Sequence, residues 1–419
     1  MKETDAKQLR NRLSKGYDFK LYVTDLVWLA SLGTLFVVCL ELFYRMIVNY
    51  HGHYKSDVPF YVVENMTNGV PSVRMLDYVY RFLYSINHTT LEINICMAAT
   101  IVAIVVANYL TIRYFIKEDG CIASVPRYAI QFFSVAMLFM GAIYVPVIFE
   151  RYYKHTFKAF AWHSPTQQAM TLFSVIAALC FLKMYVDYET KGVHPGWWIA
   201  TTVSVFLATF PKPSFTLNLM PAVVVMFIAD IIRGGKDGFL TRFKRLFIMG
   251  CTIIPSGLYL IHLNTVKFTD NMQYGEEHEV VFGISQVLSY DKLWGAVLFG
   301  ITIPIVVFIF NLPRFKDPKY RFAGYIFVMG MLQWGLLTET GKRGEHGNFT
   351  WGRMIGIYYL TMAAAVVFLE IYYDKEGNFI GDDKKRKLFL IIAGVVIIAA
   401  MISQLNYFRL ILTGHGYQL

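Results

Sequence analysis

Long apolar runs recur from one end of the chain to the other, and nothing else in the sequence constrains the fold as much. About 11 can be marked: 22–44, 93–112, 128–149, 167–186, 197–210, 215–232, 246–263, 293–311, 322–338, 352–373 and 388–404. Most have the roughly 20 residues that a helix needs to cross a hydrocarbon core. Lipid offers no water to open backbone groups, so each run is expected to be helical. Charged residues make up 16% of the chain, against roughly 25% in soluble domains. The expected fold is therefore an all-α polytopic membrane protein, one integral membrane domain over residues 1–419.

The polar segments between the runs set the expected topology. With the N-terminus inside, the inside segments are residues 1–21 and the regions 113–127, 183–191, 233–245, 314–321 and 375–387. They hold 25 of the 39 Lys and Arg residues. By the positive-inside rule this predicts an N-terminus inside and a C-terminus outside. The polar start followed by an apolar run of about 22 residues reads as an uncleaved first helix, too long for a signal-peptide core. The net charge of +10 follows the membrane topology, so no nucleic-acid partner is expected. The five cysteines, Cys39, Cys96, Cys121, Cys180 and Cys251, form no CxxC pair, which leaves no disulfide framework and no zinc motif. No internal repeat supports an inverted-repeat transporter.

The outside loops differ from the inside ones. Residues 45–92, 150–166, 264–292 and 339–351 are rich in His, Asp, Glu, Lys, Arg and aromatics. The 45–92 loop contains "SVRMLDYVYRFLY", with apolar residues at helical spacing, which predicts an amphipathic helix lying in the interface. The 264–292 loop carries "EEHE" at its middle, acids and an imidazole able to contact a cation or a sugar acceptor, but a solvated connection is the preferred reading.

Four stretches carry residues suited to chemistry. "YHGHYKSDVPFYV" (50–62) places Asp57 two residues before Pro59, a good helix start. A carboxylate fixed there can also serve as a general base. His51 and His53 beside it give a metal-binding alternative, but two His and one Asp are a thin ligand set, and no metal or other cofactor is expected. "FAWHSPTQQ" (160–168) puts Trp162 and His163 before a helix start, where an imidazole can donate to a phosphate and the helix end itself attracts anions. "FPKPSF" (210–215) holds Lys212 between two prolines in a break at membrane depth, where a lysine is costly unless it has work to do. "TETGKRGEHGNFTWGR" (338–353) supplies Arg343, able to bind phosphate bidentately. It also supplies Glu339 and His346, and Asn348 and Trp351, of which the last two suit sugar recognition, one by hydrogen bonds and one by an apolar ring face.

Together "GHYKSDVPFYV", "WHSPT", "PKPSF" and "ETGKRGEHGNFTWG", in that order over residues 52–352, resemble the class C glycosyltransferases, polytopic enzymes that use lipid-phosphate sugars, and more narrowly a bacterial branch of them. The resemblance implies a GT-C-like bundle in the plasma membrane with an active site on its outer face. It also implies an acidic residue of the first outside loop as base, at the position of Asp57. The double-acid pattern of other branches is absent, since Asp57 follows Ser56, and no large soluble domain follows the helices. The implied partners are a polyprenyl-phosphate-linked sugar donor, a glycan, lipid or protein acceptor, and membrane lipid. Arg343, Lys212 and His163 would hold the donor phosphate. Glu339, His346, Asn348, Trp351 and Trp162 would hold sugar or acceptor. A transporter or flippase of a lipid-linked or anionic substrate, or a polymerase of lipid-linked glycans, would use the same cations.

Overall fold

The computed structural model describes residues 19–48, 56–59, 62, 75–118, 125–148, 160, 162–234, 238–269, 279–283, 293–340, 348–373 and 383–414. In chain order the helices are α1 (Phe19–Val48), α2 (Met75–Asn87), α3 (Leu91–Glu118), α4 (Arg127–Ala136), α5 (Pro165–Val186), α6 (Tyr188–Lys191), α7 (Pro195–Thr209), α8 (Ser214–Arg233), α9 (Phe239–Gly250) and α10 (Ile254–Thr269). Strand β1 (Val280–Phe282) follows, then α11 (Leu293–Gly300), α12 (Thr302–Ile309), α13 (Pro318–Leu336), β2 (Leu337–Glu339), α14 (Thr350–Tyr373) and α15 (Asp383–Leu412).

The protein is an all-α membrane-type bundle. Among the described residues, seven segments are long and apolar enough to cross a bilayer: Val23–Val48, Leu91–Ile116, Pro165–Val186, Ser214–Arg233, Phe239–Leu263, Thr350–Tyr373 and Asp383–Leu412. Four of the expected spans are not among them. The 197–210 run gives a helix of only 15 residues, because Pro195 starts it and the proline pair at 211 and 213 ends it. The 322–338 run gives α13, whose 19 residues include Lys319, Arg321 and Gln333. The 293–311 run is split at Ile301 into two eight-residue helices. Pro304 has no N–H to offer the preceding turn, which accounts for the split.

The 128–149 run is helical only to Ala136, and residues 137–148 are turns and extended chain. Non-helical backbone at membrane depth must find its hydrogen bonds elsewhere. Here Tyr144 N–H donates to the Ser403 hydroxyl at 2.7 Å, Gln404 Nε2 donates to the Ala142 carbonyl at 2.6 Å, and Ile143 N–H donates to the Phe299 carbonyl at 3.2 Å. A similar repair occurs in α8. Pro221 lies inside that helix and cannot bond the Leu217 carbonyl four residues before it, and Gln333 of α13 donates to that carbonyl instead.

Helix α14 is the centre of the bundle: every residue from Gly352 to Ile371 except Phe368 is buried. Its Gly356 faces α13, while Gly352, four residues before it, faces the Asn218 side chain of α8 and presents its carbonyl to Gly330 of α13. A Cβ at Gly356 would meet the Phe327 Cα at 2.8 Å, and one at Gly330 would meet the Gly352 carbonyl oxygen at 2.6 Å. The two backbones therefore touch only because these positions lack side chains, the packing mode of small-xxx-small pairs in membranes. Polar ties cross the interior as well. Tyr358 donates to Asn108 Oδ1 at 2.7 Å, and Asn108 Nδ2 donates to the Ser134 carbonyl at 3.2 Å, joining α14, α3 and α4.

The amphipathic helix expected in the first long loop is α2. Tyr78, Phe82 and Ile86 stand exposed at four-residue spacing, while Asp77 and Tyr80 are buried. Strands β1 and β2 form an antiparallel pair with Val280 opposite Glu339 and Phe282 opposite Leu337.

Overpacking the α13–α14 contact should cost stability. Gly356→Leu is expected to destabilise the bundle by about 1–3 kcal/mol. Gly394→Leu, where an added Cβ meets nothing within 4 Å, should be close to neutral. Thermal unfolding in detergent measures both.

Candidate functional site

Three helices begin at one place. Helix α5 starts just after His163, α8 just after Lys212, and α14 just before Trp351. The side chains at these starts meet. Lys212 Nζ lies 3.2 Å from the centre of the Trp351 ring, and the His163 ring lies 6.0 Å from it on centroids, tilted by 44°. An ammonium over an indole face is held by the ring quadrupole.

Each start has a local cause. Pro165 occupies the first turn of α5, with Ser164 at the cap position, although the serine side chain makes no capping bond. The α7–α8 turn is fixed by its two prolines and closed by a 2.7 Å contact between the Thr209 and Thr216 hydroxyls. Asn218, one turn further along α8 and fully buried, donates from Nδ2 to the Gly352 carbonyl at 2.7 Å. That bond fixes the Lys212 turn against the first turn of α14.

Asp57 joins from the first loop. Its backbone N–H donates to the His163 carbonyl at 3.2 Å, and Ser56 Oγ accepts from Val58 N–H at 3.1 Å. Ser56 thus caps the short helical turn at Val58–Pro59, and Asp57 is anchored by its backbone beside His163. Asp57 is half-buried, and His163 is buried. From the other side, Trp351 N–H donates to the Asn348 carbonyl at 3.4 Å, and Asn348 Nδ2 donates to Glu339 Oε2. Asp57, His163, Trp351, Lys212, Asn348 and Glu339 therefore form one connected chain drawn from four distant segments. Lys212, Trp351, Asn348 and Glu339 are all partly exposed.

Trp162 does not offer a face for a sugar. It is 1% exposed and lies against Phe139, Phe160 and Phe408 at centroid distances of 5.6, 4.8 and 4.5 Å. Its work is packing: it locks the chain just before His163, and Gln168 Nε2 donates to its carbonyl at 2.9 Å. Arg343, His346, His51 and His53 lie outside the described residues. Among the described residues, no three His, Cys, Asp or Glu side chains gather in a way that could hold a metal ion.

Two further residues lie at this end, one in the "EEHE" run read as a solvated connection and one, Arg353, not singled out in the sequence. Glu279, at the end of the "EEHE" run, exchanges bonds with Thr340: Glu279 N–H donates to Thr340 Oγ1 at 2.8 Å, and Thr340 N–H donates to the Glu279 carbonyl at 2.9 Å. The 264–292 loop thus reaches the site through β1 rather than only connecting helices in solvent. The β-branched pair after "EEHE", Val280–Val281, was the available signal. Arg353 is buried at the start of α14, its guanidinium 4.6 Å from the Trp334 ring centre. A charged residue inside an apolar helix start is a signal in its own right.

The arrangement can accept a proton at a carboxylate, hold an anion against a lysine and helix ends, and offer an aromatic face. The chain matches no family model, and no curated protein matches it significantly.

The Lys212–Trp351 contact should be measurable. A double-mutant cycle with Lys212→Met and Trp351→Leu is expected to give a coupling of about 0.5–2 kcal/mol in thermal unfolding. Strictly additive effects would mean that the two side chains do not touch.

Proposed function

We propose that the protein is a class C-type membrane glycosyltransferase that moves a sugar from a polyprenyl-phosphate-linked donor to an acceptor. The observation that carries this reading is the meeting of the first turns of α5, α8 and α14 around Trp351, with Lys212 and Asp57 beside it. Unpaired N–H groups and the positive ends of helix dipoles favour an anion at such a place. A leaving phosphate is the anion this chemistry produces.

In the proposed step an acceptor hydroxyl attacks the anomeric carbon and gives its proton to Asp57. The bond from that carbon to the phosphate oxygen breaks, and the polyprenyl phosphate leaves with its electron pair. Lys212, Arg343 and His163 stabilise the growing negative charge, the kind of preorganised help that is often the largest catalytic contribution. Glu339, Asn348, His346 and Trp351 hold sugar or acceptor, and Trp162 holds His163 in place. No cofactor enters the step. The loop charges support an orientation with the N-terminus inside and the site on the outer face of the plasma membrane.

Asp57→Asn keeps the size of the side chain and removes the base. Transfer from a lipid-linked sugar donor should fall by about 100-fold or more, with protein yield and unfolding temperature near those of the wild type. Full turnover by this variant would remove Asp57 from the role.

A further inference from the structure

The opposite end of the bundle carries a surface that the proposed reaction does not use. Helix α8 runs 20 residues from the Lys212 turn to Arg233, a length of about 30 Å and the thickness of a hydrocarbon core. Helix α9 lies against that far end. Arg242 Nη1 donates to the Asp230 carbonyl at 3.2 Å, and Arg245 Nη1 donates to the Tyr188 and Glu189 carbonyls at 3.1 and 2.8 Å. These two arginines face the protein and fix the helix in place.

The other face of α9 is turned outward and is apolar. Leu240 is 75% exposed, Phe243 46%, Phe247 63% and Ile248 38%. Phe239, Phe243 and Phe247 stack as a ladder, with ring centres 6.1 and 6.4 Å apart. In the middle of this face stands Lys244, exposed, four residues from both Leu240 and Ile248 and three from Phe247. Helix α9 contains no Asp or Glu. Trp198 Nε1 donates to the Ile248 carbonyl at 2.7 Å. This bond ties α9 to the first turn of α7, and α9 is itself the first part of the candidate span Phe239–Leu263, so its outward face is one that lipid would cover.

The geometry points to an anionic phospholipid bound on α9, with its phosphate at Lys244 and its acyl chains along Phe243 and Phe247. An ammonium set among exposed apolar side chains has a flexible stem that can snorkel to a headgroup. A cation at that level is attracted to anionic lipid. Arg233, at the end of α8, is paired with Asp230 at 3.6 Å, and Arg242 with Glu189 at 3.0 Å, so Lys244 is the cation that the outward face offers to a headgroup. Residues 233–245 contain five Lys or Arg and one Asp. This inference stands on the far end alone and is independent of the reaction proposed for the other end.

The test is native mass spectrometry of the full chain released from nanodiscs made of phosphatidylglycerol and phosphatidylcholine in equal amounts. The wild type should retain phosphatidylglycerol in preference to phosphatidylcholine. Lys244→Gln should lower the phosphatidylglycerol adduct about fivefold, the effect expected of one surface cation. Lys244→Arg should restore it, and Lys387→Gln, at an exposed lysine on α15, should leave it unchanged. Millimolar inorganic phosphate should not displace the lipid, because the chains contribute to binding. Equal retention of the two lipids by the wild type, equal adducts in wild type and Lys244→Gln, or displacement by free phosphate would each overturn the assignment.

Discussion

The close approach of α13 and α14 at Gly330, Gly352 and Gly356 is the contact on which the rest depends. In lipid, apolar burial does not drive helices together, because the surroundings are as apolar as the side chains. Backbone contact and interhelical hydrogen bonds must do it. The glycines allow the contact, and Asn218 adds a bond from a third helix at the same level. The result sets the rotation of α14. A shift of one residue in register would turn Trp351 by about 100°, away from Lys212 and His163. The packing and the site are thus one geometric problem.

The same logic explains the polar residues inside the bundle. Two of the places where a helix is broken or bent are repaired by side chains from other helices. Gln333 serves the carbonyl freed by Pro221, and Ser403 and Gln404 serve the unwound chain after Ala136. That unwound chain has a further consequence. Its Phe139 stacks on Trp162 at an interplanar angle of 30°, so helix α15, through residues 403 and 404, supports the segment that carries His163.

Much of the site was legible in the sequence. Against an apolar background, short polar stretches with Pro or Gly stand out, and Asp57, His163, Lys212, Glu339, Asn348 and Trp351 were each found that way. The structure adds that they are connected. Trp162 was misread because hydropathy and position cannot tell an interfacial indole from one enclosed by three phenylalanines. The break after Ala136 was also hidden. Its local sequence is as apolar as a helix, and the groups that make the break tolerable lie some 260 residues away in α15. The pairing of Glu279 with Thr340 was hidden for a related reason, since strand pairing across about 60 residues leaves little local trace.

In functional terms, the bundle has two different ends about one membrane thickness apart. One gathers three helix starts, a lysine, an imidazole, an indole and two carboxylates. The other carries an aromatic ladder with a lysine in it. A structure solved with a polyprenyl phosphate bound tests the functional account most directly. The account predicts the phosphate at the first turns of α5, α8 and α14, in hydrogen-bonding contact with Lys212. A phosphate resting only at the opposite end, beside Arg233 and Lys244, would contradict it.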